Sequence, residues 1–179
     1  MKPANILILP GWQNSGPTHW QSLWEQKHGY HRVEQHDWDH PLRGDWVARL
    51  EDVVLSRDEP VVLAAHSMGC LLVAAWAAVS RNTHRVKGAL LVAPGDLERE
   101  DLRDQLPSWS PIAMGRIPFD SVLLGSEDDP YCALDRARLF AQSWGAQFMN
   151  YGRCGHINGD SGLGSWPEGH VLLQDLMKD

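Results

Sequence analysis

The stretch Val61–Val79 constrains this chain more than any other. Val61-Val62-Leu63-Ala64-Ala65 is a short apolar run of the kind that forms a buried strand. It ends in His66-Ser67-Met68-Gly69-Cys70, and Leu71–Val79 then continues as an apolar stretch of helical length. Strand, tight turn around a central serine, and buried helix are the order of a nucleophile elbow. The usual pattern is small-x-Ser-x-small, and Ala65 stands where glycine is commonest. The small residues are needed because the turn is strained and backbone passes close by. A core helix without chemistry explains the composition of Leu71–Val79 equally well. It does not explain Ala-His-Ser-Met-Gly at the turn.

The rest of the chain repeats the alternation. Strands are expected at Asn5–Leu9, Arg32–His36, Val61–Ala65, Gly88–Ala93, Ser121–Leu124 and Gln147–Tyr151. Helices are expected at Thr18–Lys27, Asp45–Leu55, Met68–Val79, Ala133–Trp144 and Pro167–Met177. Ser165 and Pro167 supply a capping residue and an early proline for the last of these. Six strands alternating with helices predict an α/β fold, a mostly parallel sheet with helices on both faces. With 179 residues and no linker or repeat, residues 1–179 are expected to form one domain. Pro94–Pro118 is the expected lid, too short for a cap domain.

Several function classes are disfavoured by composition. The net charge is −7 with both signs interspersed, so no basic face is offered to nucleic acid or to an anionic membrane. Asn5–Leu9 is too short for a signal-peptide core or a membrane span. The three scattered cysteines, Cys70, Cys132 and Cys154, are no disulfide framework and fit a reducing compartment, so the expected location is cytoplasmic. Neither a phosphate-binding P-loop nor a dinucleotide fingerprint occurs, and no cofactor is expected. His28, His31, His36 and His40, with Asp37 and Asp39 between them, match no strong ligand spacing. They read as a polar strand and loop, and no metal is expected.

A serine hydroxyl needs a base to take its proton, and the base is typically a histidine held by a carboxylate. In α/β-hydrolases the chain order is serine, acid, histidine. His156, in Arg153-Cys154-Gly155-His156, follows the last strand. The acid is expected in Gly125-Ser126-Glu127-Asp128-Asp129-Pro130, after the penultimate strand. Gly125-x-x-Asp128 is a common hydrolase spacing, whereas Pro130 restricts the backbone of Asp129 to extended geometry and so directs its carboxylate. The residues alone leave Asp128 and Asp129 open. His66 is expected to point away from Ser67, His84 and His170 to lie at the surface, and His19 to help shape the site. The oxyanion donors are expected to be the backbone amides of Met68 and of Trp12, with Gln13 as the fallback. Trp109, Trp166 and Trp12 are candidate pocket residues.

Four stretches together resemble the small serine hydrolase family of YdeN and retinoblastoma-binding protein nine. They are Pro10-Gly11-Trp12-Gln13-Asn14-Ser15-Gly16-Pro17-Thr18-His19-Trp20, His66-Ser67-Met68-Gly69, Gly125-Ser126-Glu127-Asp128-Asp129-Pro130-Tyr131 and Gly155-His156-Ile157-Asn158. The resemblance implies a compact α/β-hydrolase with a Ser–Asp–His triad, and carried over by position the acid falls on Asp129. It implies at most esterase-type activity on small acyl esters. A thioesterase or amidase using the same triad, and a non-catalytic binding module on the scaffold, are the alternatives. The mammalian member's link to retinoblastoma protein rests on an L-x-C-x-E motif; none of the three cysteines here sits in one, so that partner is not implied.

Overall fold

A computed structural model of the chain describes residues 1–178. Six strands, β1 (Ile6–Leu9), β2 (His31–Arg32), β3 (Val61–His66), β4 (Val86–Val92), β5 (Asp120–Gly125) and β6 (Gln147–Asn150), form one sheet in the order β2-β1-β3-β4-β5-β6. Every pairing is parallel. Six helices accompany them: α1 (Trp20–His28), α2 (Arg43–Leu55), α3 (Met68–Val79), α4 (Glu100–Arg103), α5 (Leu134–Trp144) and α6 (Pro167–Met177).

Side-chain alternation along the strands sorts the core into two layers. Leu7, Leu9, Leu63, Ala65, Leu91 and Leu123 face one way, where Leu50 of α2, Leu72 of α3 and Phe140 of α5 cover them. Ile6, Ile8, Val62, Ala64, Leu90 and Leu124 face the other way, under Trp20 and Trp24 of α1 and Leu173 of α6. A strand buried on both faces has no polar positions to spare, which is why β3 reads as a continuous apolar run.

The edge strand is shorter than the expected Arg32–His36. Val33 is fully buried, and its amide still bonds Ile8 O at 3.0 Å. Beyond it Trp38 is the one apolar residue of Glu34–His40, and Asp37 turns the chain by accepting the amides of Asp39 and His40 at 2.9 and 2.8 Å. The start of α6 also differs from the expectation. Trp166, not Ser165, occupies the capping position, with φ 44° and no side-chain cap. Burying its indole beside Trp20 and Trp24 sets the entry of that helix, while Ser165 O accepts Trp24 Nε1 at 2.7 Å.

From β1 the chain steps outward to β2 and then back across to β3, so the loops after β1 and β3 leave the sheet side by side. Such a switch in strand order opens a crevice at the carboxyl ends of the strands. Between β4 and β5 only the one-turn α4 and a short 3-10 turn at Pro107–Trp109 intervene, and among the described residues no cap domain stands over that crevice.

Candidate active site

Ser67 sits in the crevice with φ 54° and ψ −123°. A non-glycine residue there stores roughly 1–3 kcal/mol of strain and persists only when its surroundings dictate it. Here they do. Ser67 N donates to Val92 O of β4 at 2.9 Å, and Ser67 O accepts Cys70 N at 3.0 Å. A methyl group on Gly69 would lie 2.2 Å from Leu9 O, and one on Gly11 would lie 2.8 Å from the Ser67 Cβ. The elbow is therefore wedged between β1 and its loop. At the other small position, the Ala65 methyl packs into the core layer under α3 and meets no such obstacle.

His156 reaches Ser67 from the loop after β6. Its Nε2 lies 2.9 Å from Ser67 Oγ, and its Nδ1 lies 2.9 Å from both carboxylate oxygens of Asp129. A carboxylate only accepts, so Nδ1 carries the proton and the Nε2 lone pair faces the serine hydroxyl. Both side chains are sheltered, His156 at 8% and Asp129 at 2% exposure.

The two neighbouring acids turn elsewhere. Asp128 accepts Gly155 N at 2.8 Å and Ser126 Oγ at 3.0 Å, and chiefly the Gly155 amide holds its carboxyl below the usual range. Glu127 accepts Asn150 Nδ2 at 2.9 Å. Ser126 Oγ also accepts Cys154 N at 2.9 Å, so the loops after β5 and β6 are sewn together.

The crevice contains a cavity of about 250 Å³ walled by Trp12, His19, Met68, Leu97, Leu102 and Tyr131 among others. Within it, no hydrogen-bond acceptor among the described residues takes the Trp12 amide. The Gln13 amide is engaged by Trp38 O at 3.0 Å, which removes the fallback donor. His19 lies on the cavity wall, its Nδ1 accepting Gln21 N at 3.2 Å. Burial, with help from Arg32, pushes its pKa down to about 3.

Two expected pocket residues are elsewhere. Trp109 is buried against Trp46 and donates to Pro41 O at 3.1 Å, fastening the Pro94–Pro118 segment to the core. Trp166 is buried on the opposite face of the sheet and donates to Tyr151 Oη at 2.7 Å. In that segment it is Leu97 and Leu102 that face the cavity.

The His66 ring lies edge-on to His156, with centroids 4.8 Å apart. His170 is half-buried, its Nε2 lying 2.7 Å from Tyr30 Oη and its ring stacked on His28. His84 is exposed.

Two supporting residues carry no obvious motif. Gln21 is fully buried; its Nε2 donates to Leu9 O and Ala64 O at 3.1 and 3.0 Å, and its Oε1 accepts Ser15 Oγ at 2.6 Å. It ties the ends of β1 and β3 to the loop between β1 and α1. Arg32 donates to Ser15 O at 3.1 Å and to Asn14 Oδ1, bracing the same loop from the edge strand. The signal for Gln21 is its place on the inward stripe of a helix between Trp20 and Trp24.

This fold, with a serine at a strand–helix elbow, defines an α/β-hydrolase. The chain belongs to the serine hydrolase family, whose model matches residues 6–175. A YdeN-like hydrolase from Pectobacterium atrosepticum is similar to it, with 26% identity, TM-score 0.83, and 97% of this chain and 90% of that one covered. The ydeN gene product of B. subtilis shares the fold at 19% identity and TM-score 0.77, covering 97% and 98% of the two chains. Est1E of Butyrivibrio proteoclasticus, solved with ferulic acid bound, shares it at 10% identity and TM-score 0.70, covering 96% and 85%. No curated protein sequence matches the chain. Among the described residues no helix is long and apolar enough to cross a membrane, and no group of three or more His, Cys, Asp or Glu side chains is placed to hold a metal ion.

Proposed function

We propose that this hydrolase cleaves small acyl esters through Ser67, His156 and Asp129 and a covalent acyl-enzyme. The observation that carries the reading is the pair of 2.9 Å contacts that place His156 between the Ser67 hydroxyl and the Asp129 carboxylate.

His156 takes the hydroxyl proton as Ser67 Oγ attacks the ester carbonyl. Asp129 keeps the imidazole in the Nδ1–H tautomer and stabilises the imidazolium that forms. The carbonyl oxygen becomes an oxyanion and is received by the Trp12 and Met68 amides. The tetrahedral species expels the alcohol, which takes its proton from His156 Nε2. Water, deprotonated by the same nitrogen, then attacks the acyl-serine; acid departs and Ser67 regains its proton. A cavity of about 250 Å³ favours short acyl groups.

The test is active-site labelling with a fluorophosphonate, followed by a panel of acetate, butyrate and octanoate esters beside matched thioesters and amides. Labelling that disappears in Ser67→Ala, with turnover greatest on the short esters, is the expected result. A wild-type chain that does not label would exclude the catalytic reading. Faster cleavage of thioesters or amides would reassign the substrate class.

A further inference from the structure

The histidine that would act as base owes its position to a strained backbone. Ile157, directly after His156, adopts φ 46°. A β-branched side chain rarely tolerates that region, and the chain would leave it unless something held it there. Rotation at Ile157 would carry the adjoining His156 backbone with it, and with that the ring that meets Ser67 and Asp129.

Two buried donors grip this point. His66 Nε2 lies 2.9 Å from His156 O, and Trp20 Nε1 donates to Ile157 O at 2.9 Å. His66 and Trp20 are 4% and 1% exposed. A carbonyl only accepts, so His66 must carry its proton on Nε2. Its ring is packed edge-on by His19 at 4.6 Å and by Trp20 at 6.1 Å, which leaves it little freedom to turn.

We infer that His66 and Trp20 are positioning residues for the general base, clamping the consecutive carbonyls of His156 and Ile157. The inference rests on the catalytic reading proposed above. Its logic is mechanical. His66 is covalently next to Ser67, so its side chain ties the backbone of the base to the strand that carries the nucleophile. The two loops are 90 residues apart in the chain, and this bond is a direct link between them. Trp20 performs the same service from α1, whose amino end adjoins the loop that supplies the Trp12 amide. Nucleophile, base and oxyanion loop thus share one set of buried braces. Geometry of this kind matters because a displacement of about 1 Å in a reacting group costs on the order of a hundredfold in rate.

The test uses the full chain. Long-range nitrogen–proton spectra of histidine-labelled wild type should show His66 as the Nε2–H tautomer, and an Nδ1–H tautomer would overturn the clamp. In steady-state kinetics, His66→Leu and Trp20→Phe should each lower kcat by roughly ten- to a hundredfold with little change in KM. His66→Gln, which retains a side-chain N–H, should recover most of the loss. A folded His66→Leu with unchanged kcat, a loss confined to KM, or a glutamine variant no better than leucine would each overturn the inference. Trp20→Phe decides the kinetics where His66→Leu does not fold. Fluorophosphonate labelling of the wild type runs alongside: its absence would refute the proposed function, while the tautomer measurement would still report on the clamp.

Discussion

Gly69 stands so close to Leu9 that a methyl group added to it would lie 2.2 Å from the Leu9 carbonyl oxygen. The contact is backbone against backbone, so no side chain can yield. Gly69→Ala should therefore destabilise the protein by about 3 kcal/mol or more and remove activity. Ala65→Gly should behave differently. It deletes one buried methyl and loosens a strand, at about 1 kcal/mol, and leaves the elbow intact. Denaturation midpoints and ester turnover of the two variants check this; equal behaviour would refute it.

The two small positions of the elbow thus differ in kind, and sequence alone does not separate them. What it does show is whatever rests on local pattern. The elbow helix was expected at Met68–Val79 and lies there, because a helix buried all round needs an unbroken apolar run. The central strands β1, β3 and β4 follow for the same reason. What the sequence does not show are contacts between residues distant in the chain. Trp109 sits in a loop, yet that loop dips into the core to reach Pro41. His66 ends a strand whose alternation stops at the turn, and its contact is with a loop far along the chain. Asp128 and Asp129 are adjacent and chemically alike, so only the path of the backbone distinguishes their partners.

That path yields the second prediction. Asp129→Asn should lower turnover on the order of 10⁴-fold, because the amide no longer enforces the Nδ1–H tautomer of His156. Asp128→Asn keeps an oxygen for Gly155 N and Ser126 Oγ and should lose only a small fraction of that. Asp128→Ala removes that acceptor and should fall between them. Comparing kcat/KM across the three variants is decisive, and a greater loss in Asp128→Asn than in Asp129→Asn would reverse the assignment.

Acid stability gives the third. Burial lowers the pKa of His19 from 6.5 to about 3 and that of His66 well below 6.5. The unfolded chain therefore binds protons that the folded chain refuses. Each such histidine contributes stability that is fully present above about pH 6.5 and is lost as pH falls through the folded value. The slope is at most about 1.4 kcal/mol per pH unit for each group. Denaturant midpoints should decline from pH 6.5 to pH 5, above the range of ordinary carboxylates. His19→Asn keeps an acceptor for Gln21 N, cannot titrate, and should flatten the decline; an unchanged slope would refute the assignment.

The walls of the cavity supply the last prediction. Leu102 lines it, whereas Trp109, a few residues on in the same segment, is packed into the core. Leu102→Ala removes wall volume where an acyl chain would lie. Since each methylene that finds a hydrophobic contact is worth about 1–3 kcal/mol in transition-state binding, the variant should favour hexanoate over butyrate esters by roughly tenfold relative to wild type. Trp109→Phe leaves the wall unchanged and removes the indole bond to Pro41 O, which keeps Ser108 Oγ as a donor at 3.3 Å. It should cost about 1 kcal/mol of stability and leave the chain-length preference where it was. The ratio of kcat/KM for the two esters, measured for both variants, separates wall from core. A shifted ratio in Trp109→Phe together with an unshifted one in Leu102→Ala would place the acyl chain on the other side of the segment.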